Sequence, residues 1–166
     1  LKKVSANTSL TSGNGNYSLA GAEYGVYSDA GCTQGVGTLT TRADGTSNTL
    51  KLKQGTYYVR ENKAPTGYIL DQTVRSITVT SGQTATLNVS DPPKTVEISL
   101  TKKSDNTEVT DNNQLYSLEG AEYSIYKDEA CTQYVDKMVT DEDGLASIDG
   151  LALNIYYVKE TKASPG

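Results

Sequence analysis

Tyr57-Tyr58-Val59-Arg60-Glu61-Asn62-Lys63-Ala64-Pro65-Thr66-Gly67-Tyr68 reads as a strand that runs into a turn. Successive strand side chains point to opposite faces, so Tyr57, Val59 and Glu61 share one face. Ala-Pro-Thr-Gly then ends the strand, because proline cannot donate to a ladder and glycine supplies a turn. A carboxylate thus closes a row of apolar residues. Burying an acid is costly unless partners are arranged around it, and those partners have to come from elsewhere in the chain.

Much of the chain is written twice. Shifting it by 99 residues aligns it with itself without a gap, and 31 of the 67 superposed pairs are identical. Tyr17-Ser-Leu-Ala-Gly-Ala-Glu-Tyr24 falls on Tyr116-Ser-Leu-Glu-Gly-Ala-Glu-Tyr123, Asp44-Gly45 on Asp143-Gly144, and Tyr57-Tyr-Val-Arg-Glu61 on Tyr156-Tyr-Val-Lys-Glu160. So long a period implies tandem domains rather than a solenoid. Asp91-Pro92-Pro93 ends the first unit with a stiff joint, which places domains at 1–93 and 94–166. Residues 68–91 have no counterpart in the second unit, so that domain is expected to lack its last strands and the chain to be part of something longer. Ten of the 12 tyrosines pair under the shift, which reads as core and rim rather than a ligand platform.

Within the first unit, strands are expected near 1–5, 22–28, 36–41, 48–53, 56–62, 74–80 and 84–91, with turns at Gly13–Gly15, Ala43–Gly45, Gln54-Gly55 and Pro65–Gly67. Seven short strands with regular turns imply an all-β fold, two tandem immunoglobulin-like β-sandwiches.

Composition narrows the function. The chain has no His, Trp or Phe, which removes the commonest general base and the strongest sugar-stacking side chains. Residues 1–93 carry eight basic and six acidic side chains and residues 94–166 seven and fourteen, that is +2 and −7, the overall −5. That balance argues against nucleic acid. No apolar run is long enough to span a bilayer. Cys32 and Cys131 both stand in Cys-Thr-Gln; they form no CxxC pair and read as a small buried hydrophobe in each domain. Asp141-Glu-Asp-Gly144 has too few spaced oxygens for calcium and reads as a hairpin turn. No cofactor or metal is expected.

Two further charged groups keep step with apolar strand positions. Val96, Ile98, Leu100 and Lys102 share a face, and the shift puts Lys3 in the same place in the first unit. Ala85, Leu87, Val89 and Asp91 share a face, so Asp91 also points inward. Lys3, Glu61 and Asp91 could therefore meet in one core. Burial disfavours charge on amines and carboxyls alike, which makes a neutral amine beside a protonated acid accessible. Lys3 could attack the Asp91 carboxyl while Glu61 relays protons, leaving an amide in a single turnover. A buried ion trio is the other chemistry such residues allow.

The Lys3 strand, Leu19-Ala-Gly-Ala-Glu-Tyr24, Thr41…Asp44-Gly45 and Tyr57…Glu61…Ala64-Pro65-Thr66-Gly67-Tyr68 together resemble tandem collagen-adhesin B-type domains. These are prealbumin-like sandwiches of Gram-positive surface adhesins and sortase-assembled pilins. The resemblance implies an isopeptide bond between Lys3 and Asp91 promoted by Glu61, although Asn is the usual acceptor. In the second unit it implies the same roles for Lys102 and Glu160, with Lys102 left unpaired. It also implies an extracellular, cell-wall-anchored protein whose partners are neighbouring domains or subunits of the same surface protein or pilus. The leading expectation is a structural stalk or pilin module. An adhesive module for host protein or glycan is the alternative, and a substrate-turning enzyme is not expected.

Overall fold

The computed structural model describes residues 1–166, which divide into two compact units, Leu1–Lys94 and Thr95–Gly166. No helix is long and apolar enough to cross a membrane.

In unit 1, alternating apolar and polar residues build β2 (Glu23–Tyr27), β3 (Gly35–Thr40), β4 (Gly55–Lys63) and β5 (Arg75–Val79) into an antiparallel sheet of order β3-β2-β4-β5. A second sheet pairs β1 (Lys2–Ser5) in parallel with β6 (Asn88–Asp91). The first strand thus lies directly beside the last. Ala22, Tyr24, Val26 and Val59 from the larger sheet and its approach bury against Val89 of β6, with Leu39, Leu52, Ile77 and Leu87 packed around them. This is an open sandwich whose inner faces carry the alternate residues of each strand.

Unit 2 repeats the plan with β7 (Thr95–Thr101), β8 (Glu122–Tyr126), β9 (Tyr134–Val139), β10 (Leu145–Ala152) and β11 (Tyr157–Lys162). The order β11-β8-β9 matches β4-β2-β3, and β7 pairs antiparallel with β10. Ile125, Met138, Ala146 and Leu151 form its core.

Two expectations are corrected and one element is new. No strand forms at 48–53, although its repeat lies in β10. There Val96 and Ile98 of β7 hold β10 in register opposite Leu151 and Ile148, whereas in 48–53 the Asn48 amide donates to the Thr40 carbonyl at 3.3 Å and no ladder follows. The last strand is shorter than 84–91 and begins at Asn88; the Leu87 carbonyl accepts from the Lys2 amide at 2.9 Å, and Thr84–Thr86 have no strand partner. A single helical turn, α1 (Thr8–Thr11) and its repeat α2 (Thr107–Thr110), follows the first strand of each unit. In α1 the Asn7 side chain accepts from the Ser9 amide at 3.2 Å. One turn is too short to leave a periodic signature.

The cysteines are turn residues. Cys32 is buried and Cys131 only half-buried, so the expectation of a buried hydrophobe holds for the first alone. Both adopt left-handed backbone, φ 53° and 54°, uncommon without glycine. The turn is held by the preceding aspartate: Asp29 accepts from the Gln34 amide at 2.7 Å and Asp128 from the Gln133 amide at 2.6 Å.

Candidate functional site

β1 delivers Lys3 to the interior. Its backbone is gripped by the Asp44-Gly45 turn, where the Lys3 amide donates to the Gly45 carbonyl at 2.8 Å. Gly45 has φ +78°, and a Cβ there would lie 2.1 Å from the Lys3 carbonyl oxygen. Only glycine fits so close an approach. Unit 2 repeats the device, with the Lys102 amide donating to Gly144 at 2.7 Å. The Asp-Gly pair therefore does more than turn a hairpin; it seats the lysine strand.

β4 brings Glu61 to the same point, two residues beyond the buried Val59. Lys3 Nζ donates to Glu61 Oε1 at 2.9 Å and to the Tyr24 hydroxyl at 2.7 Å. The other carboxylate oxygen, Oε2, accepts from the Asp71 backbone amide at 3.0 Å. β6 brings Asp91, whose Oδ2 lies against Lys3 Nζ. Parallel pairing of Lys3 with Val89 puts Asp91 one inward step further along the same face. Lys3 and Glu61 are 0 % exposed and Asp91 1 %. The three residues expected to meet do meet, in one dry site.

Electrostatics set Asp91 apart. Burial pushes its carboxyl up to about 6; the Lys3 ammonium opposes that shift and the Glu61 carboxylate adds to it. Neither of its oxygens has a hydrogen bond of normal geometry. A buried carboxylate is costly even beside an ammonium, and the cost falls if it is neutral or becomes an amide. Tyr24, 2 % exposed, has its hydroxyl held protonated first by burial and then by the Asp91 charge.

Sequence reasoning missed two contributors. Tyr24 was read as core, and its hydroxyl is instead a ligand of the lysine; its phase with Val26 inside Gly-Ala-Glu-Tyr was the available signal. The Asp71 amide could not be found by side-chain pattern, because backbone supplies the donor. Asp71 itself is held well below the usual carboxylate range, at about 2, first by the Thr73 side chain and then by Arg75.

In unit 2, Lys102 Nζ donates to Glu160 Oε1 at 2.9 Å and reaches the Tyr123 hydroxyl at 3.5 Å. Their side chains are 21 % and 36 % exposed. The hydrogen bond between them raises the lysine and lowers the glutamate, the signature of an ordinary ion pair.

The comparisons with known proteins agree with this architecture. A search among curated proteins found no match. Among solved structures, the Bacillus anthracis TIE protein is 31 % identical over 98 % of this chain with a TM-score of 0.68, and the chain spans 27 % of its length. A C-terminal fragment of the pilus adhesin SpaC from Lactobacillus rhamnosus GG is 20 % identical, covering 98 % of this chain and 75 % of the fragment, with a TM-score of 0.48. BcpA, the major pilin subunit of Bacillus cereus, is 14 % identical, covering 98 % and 87 %, with a TM-score of 0.44. A family model, the SpaA prealbumin-like fold domain, matches twice, over residues 4–93 and 96–166. With nearly every residue inside one match or the other, the chain belongs to the SpaA prealbumin-like fold family, as two domains in tandem.

Proposed function

We propose that the chain is a structural stalk or pilin module of an extracellular, cell-wall-anchored protein, and that unit 1 is closed by a self-formed Lys3–Asp91 isopeptide bond. The observation that carries the reading is a buried amine held against the buried Asp91 carboxyl, with a second carboxylate 2.9 Å from the amine. Neutral Lys3 Nζ attacks Asp91 Cγ, the Cγ–Oδ bond breaks, and water leaves. Glu61 takes the proton from the nitrogen and passes it to the departing hydroxyl, as a positioned general base and acid would. No oxidant or cofactor is consumed, and the product amide N–H would donate to Glu61.

The bond would join the first strand of the unit to the last. Tension entering through β1 would leave through β6 without loading the residues between them, which suits a stalk. The partners of such a module are neighbouring domains or subunits of the same surface protein or pilus. Intact mass tests the chemistry: loss of one water lowers it by about 18 Da. Glu61→Gln and Lys3→Ala should each restore full mass. Full mass in the unsubstituted chain would reduce the site to a buried salt bridge.

A further inference from the structure

Thr41 and its repeat Thr140 are buried, 4 % and 2 % exposed, and stand one residue past the ends of β3 and β9. The Thr41 hydroxyl donates to the Leu19 carbonyl and accepts from the Ala22 amide at 3.0 Å. The backbone of the same residue closes the turn as well. The Gly21 amide donates to the Thr41 carbonyl at 2.9 Å, and the Thr41 amide to the Ala22 carbonyl at 3.0 Å. One residue thus fixes Leu19–Ala22 through side chain and backbone together. An apolar group in place of the hydroxyl would leave a buried carbonyl and amide short of a partner.

Two contacts that place Lys3 leave from this clamp. Leu19 packs on Gly45, its Cδ1 lying 3.2 Å from where a Cβ would stand, and the Gly45 carbonyl takes the Lys3 amide. Thr41 also leads directly into the Gly45 turn. That turn opens with the Arg42 amide on the Thr46 carbonyl at 2.8 Å and tightens with the Gly45 amide on the Arg42 carbonyl at 2.9 Å. On the other side, Ala22 and Tyr24 enter the same core, and the Tyr24 hydroxyl accepts from Lys3 Nζ at 2.7 Å. Unit 2 repeats the clamp. The Thr140 hydroxyl donates to the Leu118 carbonyl and accepts from the Ala121 amide at 3.0 Å, the Gly120 amide donates to the Thr140 carbonyl at 2.8 Å, and Leu118 packs on Gly144. The Lys102 amide keeps its bond to Gly144 there, although the Lys102 side chain is partly exposed. Clamp and seat thus occur together whether or not the lysine is enclosed.

We infer that Thr41 and Thr140 are positioning residues, each holding, through the turn it clamps, the glycine carbonyl and the tyrosine that place its unit's lysine. None of the hydrogen bonds of Thr41 goes to Lys3, Glu61 or Asp91, so it acts through the turn and not on the reacting atoms. Its consequence for the chemistry rests on the isopeptide reading, in which Lys3 Nζ must meet Asp91 Cγ in a near-attack geometry. A displacement of about 1 Å can cost on the order of a hundredfold in rate. Its consequence for the lysine strand does not rest on that reading and is open to measurement in unit 2, where Lys102 stands in an ion pair.

The test compares Thr41→Val, which removes the hydroxyl at nearly constant shape, with Thr41→Ser, which keeps it, both in the full chain. Intact mass is followed from the moment that newly synthesised, denatured chain is diluted into folding conditions, with circular dichroism following folding in the same sample. Thr41→Val should fold and then lose its water at least about tenfold more slowly than the unsubstituted chain, and Thr41→Ser should stay within about threefold of it. Thr140→Val should speed amide exchange at Lys102 by at least about tenfold while the β8 and β11 amides exchange as before, because a local opening leaves the sheet closed. Thr140→Ser should not. Water loss that keeps pace with folding in Thr41→Val, or a serine variant as slow as the valine one, would overturn the inference. So would exchange that quickens uniformly across unit 2 in Thr140→Val, the mark of a hydroxyl that only stabilises the fold. An unsubstituted chain that loses no water would sink the isopeptide reading alone, and exchange at Lys102 would then decide the positioning role.

Discussion

The two units carry the same lysine, glutamate and tyrosine at the same separations, and the Lys–Glu distance is 2.9 Å in both. They differ in water. In unit 1 the pair is fully buried, and in unit 2 it is 21 % and 36 % exposed. In unit 1 the segment 68–94 supplies the Asp71 amide, β6 and Asp91; the matching positions of unit 2 would fall after Gly166, outside the residues described. In water a lysine and a glutamate settle as an ion pair that keeps the amine charged, as at Lys102 and Glu160. Enclosed beside a second acid, the same pair sits next to a carboxyl raised by burial. The motif positions the amine in both units; the enclosure in unit 1 is what the proposed amide formation relies on.

The largest expected effect comes from breaking the enclosed site. A covalent tie across the loop between Lys3 and Asp91 stabilises by roughly 4–5 kcal/mol in loop-entropy terms. Glu61→Gln should forfeit that stabilisation in unit 1, read as a lower unfolding midpoint, while the matching Glu160→Gln leaves unit 2 within about 0.5 kcal/mol, as surface changes usually do. Equal losses in the two units would break the comparison. A gain-of-function version sharpens it. Appending a copy of residues 68–94 after Gly166 should bury Lys102 and place an aspartate beside it. Intact mass should then fall by about 36 Da rather than 18, one water per amide. A chain that buries Lys102 yet loses only one water would show that enclosure is not sufficient.

A smaller effect separates the tyrosines. Tyr24 accepts from Lys3 at 2.7 Å inside the core, and Tyr123 stands 3.5 Å from Lys102. Tyr24→Phe should cost about 1 kcal/mol, the usual worth of a buried hydrogen bond, and should slow amide formation after refolding without preventing it. Tyr123→Phe should change little. Unaltered kinetics in Tyr24→Phe, followed by mass against time, would leave the hydroxyl a packing group only.

How far these features could be read from the sequence depends on what carried them. Lys3, Glu61 and Asp91 were legible because strand phase alone aims a side chain inward, and each is a charge in phase with apolar neighbours. The repeat made the tandem fold legible for the same reason: it records positions, not contacts. What escaped was set by pairing. Residues 48–53 have as good a strand pattern as their repeat in β10, but a strand needs a neighbour, and no residue string reports whether one is present. The Gly45 seat for the lysine strand and the Asp71 amide on Glu61 escaped because both are backbone contacts. Cys32 and Cys131 escaped because the Asp29 and Asp128 carboxylates, not hydrophobicity, shape their turns.

The smallest predicted effect tests the loop that closes the site. The Asp71 carboxyl is held down to about 2, first by the Thr73 side chain and then by Arg75, and its side chain is 26 % exposed. Its folded value lies below the usual unfolded one of about 3.9. The stabilisation it contributes is therefore present above about pH 4 and is lost as pH falls through about 2. The loop it steadies donates the Asp71 amide to Glu61 Oε2, so the amide's protection factor should report the titration directly. In the unsubstituted chain that protection should hold from neutral pH to about 4 and then decline, within the acid limb that linkage sets. Asp71→Asn should start lower at neutral pH, by up to about 1 kcal/mol for the lost charge-assisted contacts, and should merge with the unsubstituted chain near pH 2. The described residues of unit 2 stop before the matching position, so its amides are the internal control and should show no difference between the two chains at any pH. Two curves that stay parallel down to pH 2 would mean that the Asp71 charge does nothing for the closure, and that Arg75 and the backbone hold the loop without it.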